Sequence, residues 1–128
     1  MSILSCPDPQ TGASWGMKAN KVPPDVMEMV AQRFKTMGEP MRLRLLHALE
    51  AGDKNVGELM RAVQSTQGNV SKHLGLLTQS GLVGRRREGA HVYYFIQDPV
   101  VFDICRLVCS SLLHDQNRKG RQLKNALG

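Results

Sequence analysis

Between Asn55 and Ile96 the spacing of apolar residues changes period, and each change marks an element. Val70, Leu74 and Leu77 fall four and three apart, which predicts a helix with one buried face. Gln67, Asn69, Ser71 and Lys72 then look outward. An earlier helix is announced by Asn55 with Glu58 three residues on, a capping pair. Ser65-Thr66 opens the second helix, where a hydroxyl can accept from the orphan amides of Gln67 to Asn69. Ser80-Gly81 stops it, since glycine accepts the left-handed conformation a helix end needs. From Val83 the period drops to two, with Val83, Arg85 and Arg87 on one face and Gly84 and Arg86 on the other. Glu88-Gly89-Ala90 turns the chain, and His91 to Ile96 returns as a strand of β-formers. The pattern is a helix-turn-helix followed by a two-stranded wing.

The flanks supply a core and two unpaired faces. Residues 1–22 read as a flexible arm, in which Trp15 is either a lone anchor or simply exposed. Pro23-Pro24 starts a helix whose Met27, Val30 and Phe34 make one stripe, widened by Val26, Met29 and Met37. Gly38-Glu39-Pro40 breaks it, and Leu43, Leu46 and Leu49, with Met41 and Leu45 beside them, are expected at the centre of the core. Gly52 ends that helix. Asp98-Pro99 sets up a last helix that is apolar on more than one side from Val101 to Leu113. Terminal helices so broadly apolar in a small domain call for a second chain, so the first and last helices are the expected dimer surface. The folded domain is placed at 23–115, and a polar, basic tail at 116–128, where the chain from His114 onward reads as a frayed helix end or a tail. The fold class expected is mainly α with a small β-hairpin wing.

Charge concentrates the reading on one motif. The 128-residue chain has a net charge of +6, which favours a polyanionic partner or an anionic membrane surface. Between Arg61 and Tyr94 the basic residues are Arg61, Lys72, Arg85, Arg86 and Arg87, against Glu88 alone. Double-stranded DNA is the expected partner. No stretch is apolar enough to span a membrane, and the N-terminus lacks an export signal. Three cysteines, an odd number, then point to reduced thiols and a cytoplasmic protein. No nucleophile–base pair or carboxylate dyad stands out, so no catalysis is expected.

Each basic or polar residue of the motif has a specific task on a duplex. Thr66, Gln67, Asn69, Ser71 and Lys72 lie at the helix end that enters a major groove. Asparagine and glutamine pair with adenine, and lysine with guanine or phosphate. Gly68 removes a side chain at the same edge, which permits close approach. His73 either touches phosphate or sits at the rim of the core. Arg85, Arg86, Arg87 and His91 would hold phosphates or enter the minor groove. Of the return strand, either Tyr94 and Ile96 or Tyr93 and Phe95 face inward. A competing class is a winged-helix adaptor that binds protein; the charge clustering argues against it.

Three segments in order resemble the ArsR/SmtB family of metalloregulator repressors. Phe34 to Leu46 (FKTMGEPMRLRLL) is similar to that family's entry into its second helix. Asn69 to Leu74 (NVSKHL) resembles its recognition helix, and Ser80 to Val83 (SGLV) the exit. The wing from Arg85 to Tyr94 continues the match, so the resemblance spans about residues 25 to 113. It implies a homodimeric winged-helix repressor that binds a dyad-symmetric operator and lets go on meeting an inducer. Two recognition helices would lie about 34 Å apart, in successive major grooves.

The resemblance also says where such proteins sense metals. One site uses Cys-x-Cys on the helix before the recognition helix; Glu58 to Ala62 holds no cysteine. Another uses Asp-x-His and His-x-x-Glu/His on the last helix. Here Asp103-Ile104-Cys105 has cysteine for histidine, the second pair falls on Gln116 and Lys119, and His114 is two positions off. What the last helix does hold is Cys105 and Cys109, four apart and hence on one face. Three readings stay open for them: core packing, thiol redox or polysulfide sensing, and a soft metal or metalloid ion with Cys6 or a second subunit completing the site. In the first case the protein is a constitutive repressor.

Overall fold

The computed structural model describes residues 22–127, and side chains through residue 120. Its elements are α1 (Pro24–Met37), α2 (Pro40–Glu50), β1 (Lys54–Asn55), α3 (Val56–Val63), α4 (Gln67–Ser80), β2 (Val83–Glu88), β3 (His91–Ile96) and α5 (Val100–Leu127). The chain divides after Asp98 into two compact units, the first carrying everything up to β3 and the second carrying α5.

Helix ends in the first unit follow local chemistry. Pro24 takes the first turn of α1, where its missing N–H costs no hydrogen bond. Glu39 caps α2, its carboxylate accepting from the Arg42 amide at 3.1 Å. The core is built by three helices and the entry to β2. Leu45, Leu46 and Leu49 of α2 meet Leu59 and Val63 of α3, Val70, Leu74 and Leu77 of α4, and Leu82 and Val83. Burying each leucine contributes roughly 1.5–3 kcal/mol relative to leaving it in water. The expected centre of α2 is corrected by one step. Leu45, not Leu43, is fully buried, because the helix turns its 45/46/49 edge toward α3 and α4.

The stripe of α1 stays outside this core. Met27, Val30 and Phe34 are exposed, as is Met29 at 69%; of the helix only Thr36 and Met37 are buried. Arg33 ties α1 to the body instead, bonding Asp98 at 3.1 Å and the Ser80 carbonyl at 3.3 Å.

The wing is part of a three-stranded antiparallel sheet of order β1-β3-β2, where two strands were expected. β1 adds two residues, Lys54 opposite Tyr94 and Asn55 opposite Tyr93. The β2–β3 register pairs Val83 with Ile96 and Glu88 with His91, leaving Gly89 at φ +61° in the tight turn. Val83, Tyr94 and Ile96 therefore share the face that begins in the core, although both candidate pairs of β3 are only half-buried. On the opposite face the Phe95 ring lies over Gly84, and a Cβ there would collide with it.

The second unit is one long helix, α5, which includes the polar stretch after residue 116. The helix runs through residue 116 to Leu127. Leu107, Val108, Leu112 and Leu113 are exposed along it, Leu107 at 67%.

Candidate DNA-binding surface

The helix-turn-helix is set by caps that satisfy its amide ends. Asn55 accepts from the Glu58 amide at 2.8 Å, and the Glu58 carboxylate accepts from the Asn55 amide at 3.0 Å, a complete capping box. Gln64 then adopts the left-handed conformation (φ 52°, ψ 54°), and its amide bonds the Met60 carbonyl. Such a conformation is uncommon outside glycine and here reverses the chain within a few residues. Thr66 caps α4, its hydroxyl accepting from the Asn69 amide at 3.2 Å.

This geometry sorts the expected contact residues. Gln67, Ser71 and Lys72 are exposed on α4, and Asn69 is half-buried with its Nδ2 donating to Ser65 Oγ at 2.9 Å. The Thr66 hydroxyl is engaged in capping. Gly68 opens onto free space, and so does Gly75 seven residues on, at the same helical face. The two glycines flank Ser71 and Lys72, giving a low strip along which a duplex can approach. Gly75 was not singled out from sequence; its spacing from Gly68 was the available signal. The first turn of α4 holds no acidic residue, so its positive dipole end is unopposed toward an anion.

His73 departs from the exposed set. It is 8% exposed, with Nδ1 3.2 Å from an Arg42 guanidinium nitrogen and 3.7 Å from a Glu39 carboxylate oxygen. It sits at the rim of the core, and its phosphate-contact reading is set aside. Arg42 also donates from Nε to the Thr36 carbonyl at 2.5 Å, so one guanidinium joins the end of α1, the start of α2 and the middle of α4. Sequence spacing gave no sign of this hub, because its members lie 31 residues apart.

The three wing arginines are all exposed but not equivalent. Arg85 and Arg87 share one face, and neither pairs with a carboxylate among the described residues. Arg86 lies on the other face, bonded to Asp53, 3.6 Å from Glu88, and 5.4 Å above the Tyr93 ring. The hydrogen bond it donates to Asp53, assisted by Glu88, raises its pKa, so the guanidinium is firmly charged. His91 is exposed at the start of β3, its ring tilted against Tyr93 at 6.3 Å.

Of the thiols, Cys105 is half-buried and Cys109 exposed on α5, while Cys6 lies outside the described residues. Among the described residues no group of three or more potential ligands converges. Two thiols on one helix do not supply the four ligands of a structural zinc site. No helix among the described residues is long and apolar enough to cross a membrane.

Comparison with known proteins agrees with this architecture. Residues 39–84 match the family model described as "Bacterial regulatory protein, arsR family". An uncharacterized HTH-type transcriptional regulator of Mycobacterium tuberculosis is 34% identical over 93 residues, covering 70% of this chain and 82% of the relative. A transcriptional repressor SmtB homolog of Synechocystis is 33% identical over 100 residues, covering 74% and 76%. Among solved structures, a homodimeric winged helix-turn-helix DNA-binding domain from Mycobacterium bovis, described as a possible ArsR-family regulator, superposes with a TM-score of 0.65. It is 28% identical and covers 78% of this chain and 94% of that one. With its capped helix pair, its outward polar helix and its basic wing, this chain belongs to the ArsR/SmtB family of winged helix-turn-helix transcriptional regulators, which are DNA-binding proteins and not enzymes.

Proposed function

We propose that the protein is a homodimeric cytoplasmic repressor that binds a dyad-symmetric operator and is released by an inducer. The observation that carries the DNA reading is the exposed Gln67, Ser71 and Lys72 on α4 together with Arg85 and Arg87 on the wing, which have no carboxylate partner among the described residues. The α4 residues would read or clamp the major groove, with Asn69 at its edge, while Arg85, Arg87 and His91 hold phosphates. A protein-binding adaptor has no need of so many unmatched cations on one motif. Dimerisation is supported by the exposed apolar residues of α1 and of α5, each too broad for a solvated helix, and by the homodimeric relative. Duplex binding measured against salt tests the first claim. Sedimentation of the free protein tests the second, and a monomer at micromolar concentration would refute it.

The inducer reading rests on Cys105 and Cys109, one turn apart, with Cys109 reachable from solvent. Two thiols suit oxidation, a polysulfide link or a soft metalloid better than they suit zinc. A Cys105→Ser/Cys109→Ser protein should bind the duplex normally yet fail to release it on treatment with persulfide, peroxide or arsenite. Normal release by that variant would reduce both cysteines to packing residues.

A further inference from the structure

The sheet order puts β3 between β2 and β1, so β2 and β1 never touch through their backbones. Neighbouring strands are about 4.8 Å apart, which leaves roughly 10 Å between the outer two. Backbone pairing holds β1 to the wing at only two positions, Lys54 with Tyr94 and Asn55 with Tyr93. Arg86 crosses that gap. Its side chain leaves β2, passes over the ring of Tyr93, its direct cross-strand neighbour, and bonds Asp53 in the turn before β1. Glu88, two residues along the same face, lies 3.6 Å from the guanidinium.

We infer that Arg86 is a positioning residue, a strap that fixes the angle of the wing, and that it is not one of the wing's phosphate contacts. This rests on the DNA-binding reading above. Two carboxylates already face its charge, and an approaching phosphate would have to displace them. Arg85 and Arg87, on the opposite face, carry no such partners among the described residues. The strap's far end is also well placed to matter. Asp53 is two residues from Asn55, which both pairs with Tyr93 and caps α3. Through Leu59 and Val63, α3 shares a core with α4. The strap thus ties the wing to the helix pair that carries the recognition residues.

A sign reversal makes the inference testable. Removing the negative charge of Asp53 should strengthen binding to a polyanion if Arg86 were simply a masked phosphate contact. If Asp53 is the anchor of a strap, removing it weakens binding. The experiment titrates the full-length protein with a duplex that the wild type selects from a random-sequence pool, over a series of salt concentrations. Asp53→Asn and Arg86→Gln should each weaken binding by about fivefold, the scale of an exposed ion pair. The double variant should be no weaker than either single one. None of the three should change the salt slope or the melting temperature. Arg85→Gln/Arg87→Gln should flatten the slope by about 3 to 4, for four lost phosphate contacts in a dimer. Tighter binding by Asp53→Asn, a slope flattened by about 2 in Arg86→Gln, or no loss of affinity in Arg86→Gln would each overturn the strap. Wild-type protein that selects no duplex would overturn the DNA reading and the strap together.

Discussion

α4 and the wing, the two elements proposed to meet the duplex, are held in place by different physics. α4 is pinned from beneath by Val70, Leu74 and Leu77, all fully buried, and from the side by the hub of Arg42 on His73. Beyond Val83 and Gly84 the wing has no fully buried residue; it is held by strand pairing, by Phe95 packed over Gly84, and by the exposed Arg86 strap. The contrast assigns separate costs. Disturbing the support of α4 should cost folding free energy, whereas disturbing the outer wing should cost binding and leave stability nearly untouched.

Substitutions can be ranked along that contrast. Leu74→Ala, at the centre of the α4 seat, should lower unfolding free energy by ~2–5 kcal/mol in denaturant titration. A loss under 1 kcal/mol would mean that α4 is held otherwise. Gly84→Ala sits at the junction of core and wing, where the new methyl must displace the Phe95 ring. It should cost ~1–3 kcal/mol, as overpacking does. Thr66→Ala removes the cap of α4 and should cost ~1 kcal/mol. Because the same end faces the duplex, its affinity should fall as well, which distinguishes it from Leu74→Ala measured on the folded fraction. Smallest in stability is Asp53→Asn, which breaks only an exposed, solvent-screened ion pair. Its thermal midpoint should stay at the wild-type value while duplex affinity drops, the wing's half of the comparison in a single variant.

How far the sequence disclosed this depends on range. Caps are local, so Asn55 with Glu58, Thr66 and Gly81 were readable from neighbours three residues away or fewer. The outward face of α4 followed from the spacing of Val70, Leu74 and Leu77, which the core fixes. Leu43 and Leu45 were not separable that way, since both neighbour the α2 stripe and only the packing of α3 and α4 chooses between them. β1 was invisible because two residues carry no period; Tyr93 and Tyr94, nearly forty positions later, make it a strand. Arg86 looked like its neighbours because its partner Asp53 lies 33 residues back. The run of arginines overstated the free charge of the wing, and only tertiary contact reveals which members are spent. The polar stretch after residue 116 reads as a frayed helix end or a tail, and polarity by itself does not end a helix that no proline interrupts.

The central claim is that α4 and the wing together form a phosphate-binding surface in a dimer. Its most direct test is the salt dependence of duplex binding by the wild-type protein. Lys72, Arg85 and Arg87 from each of two protomers predict that log K falls linearly with log salt at a slope of about −5. A slope near zero, or one that Lys72→Gln leaves unchanged, would contradict the account.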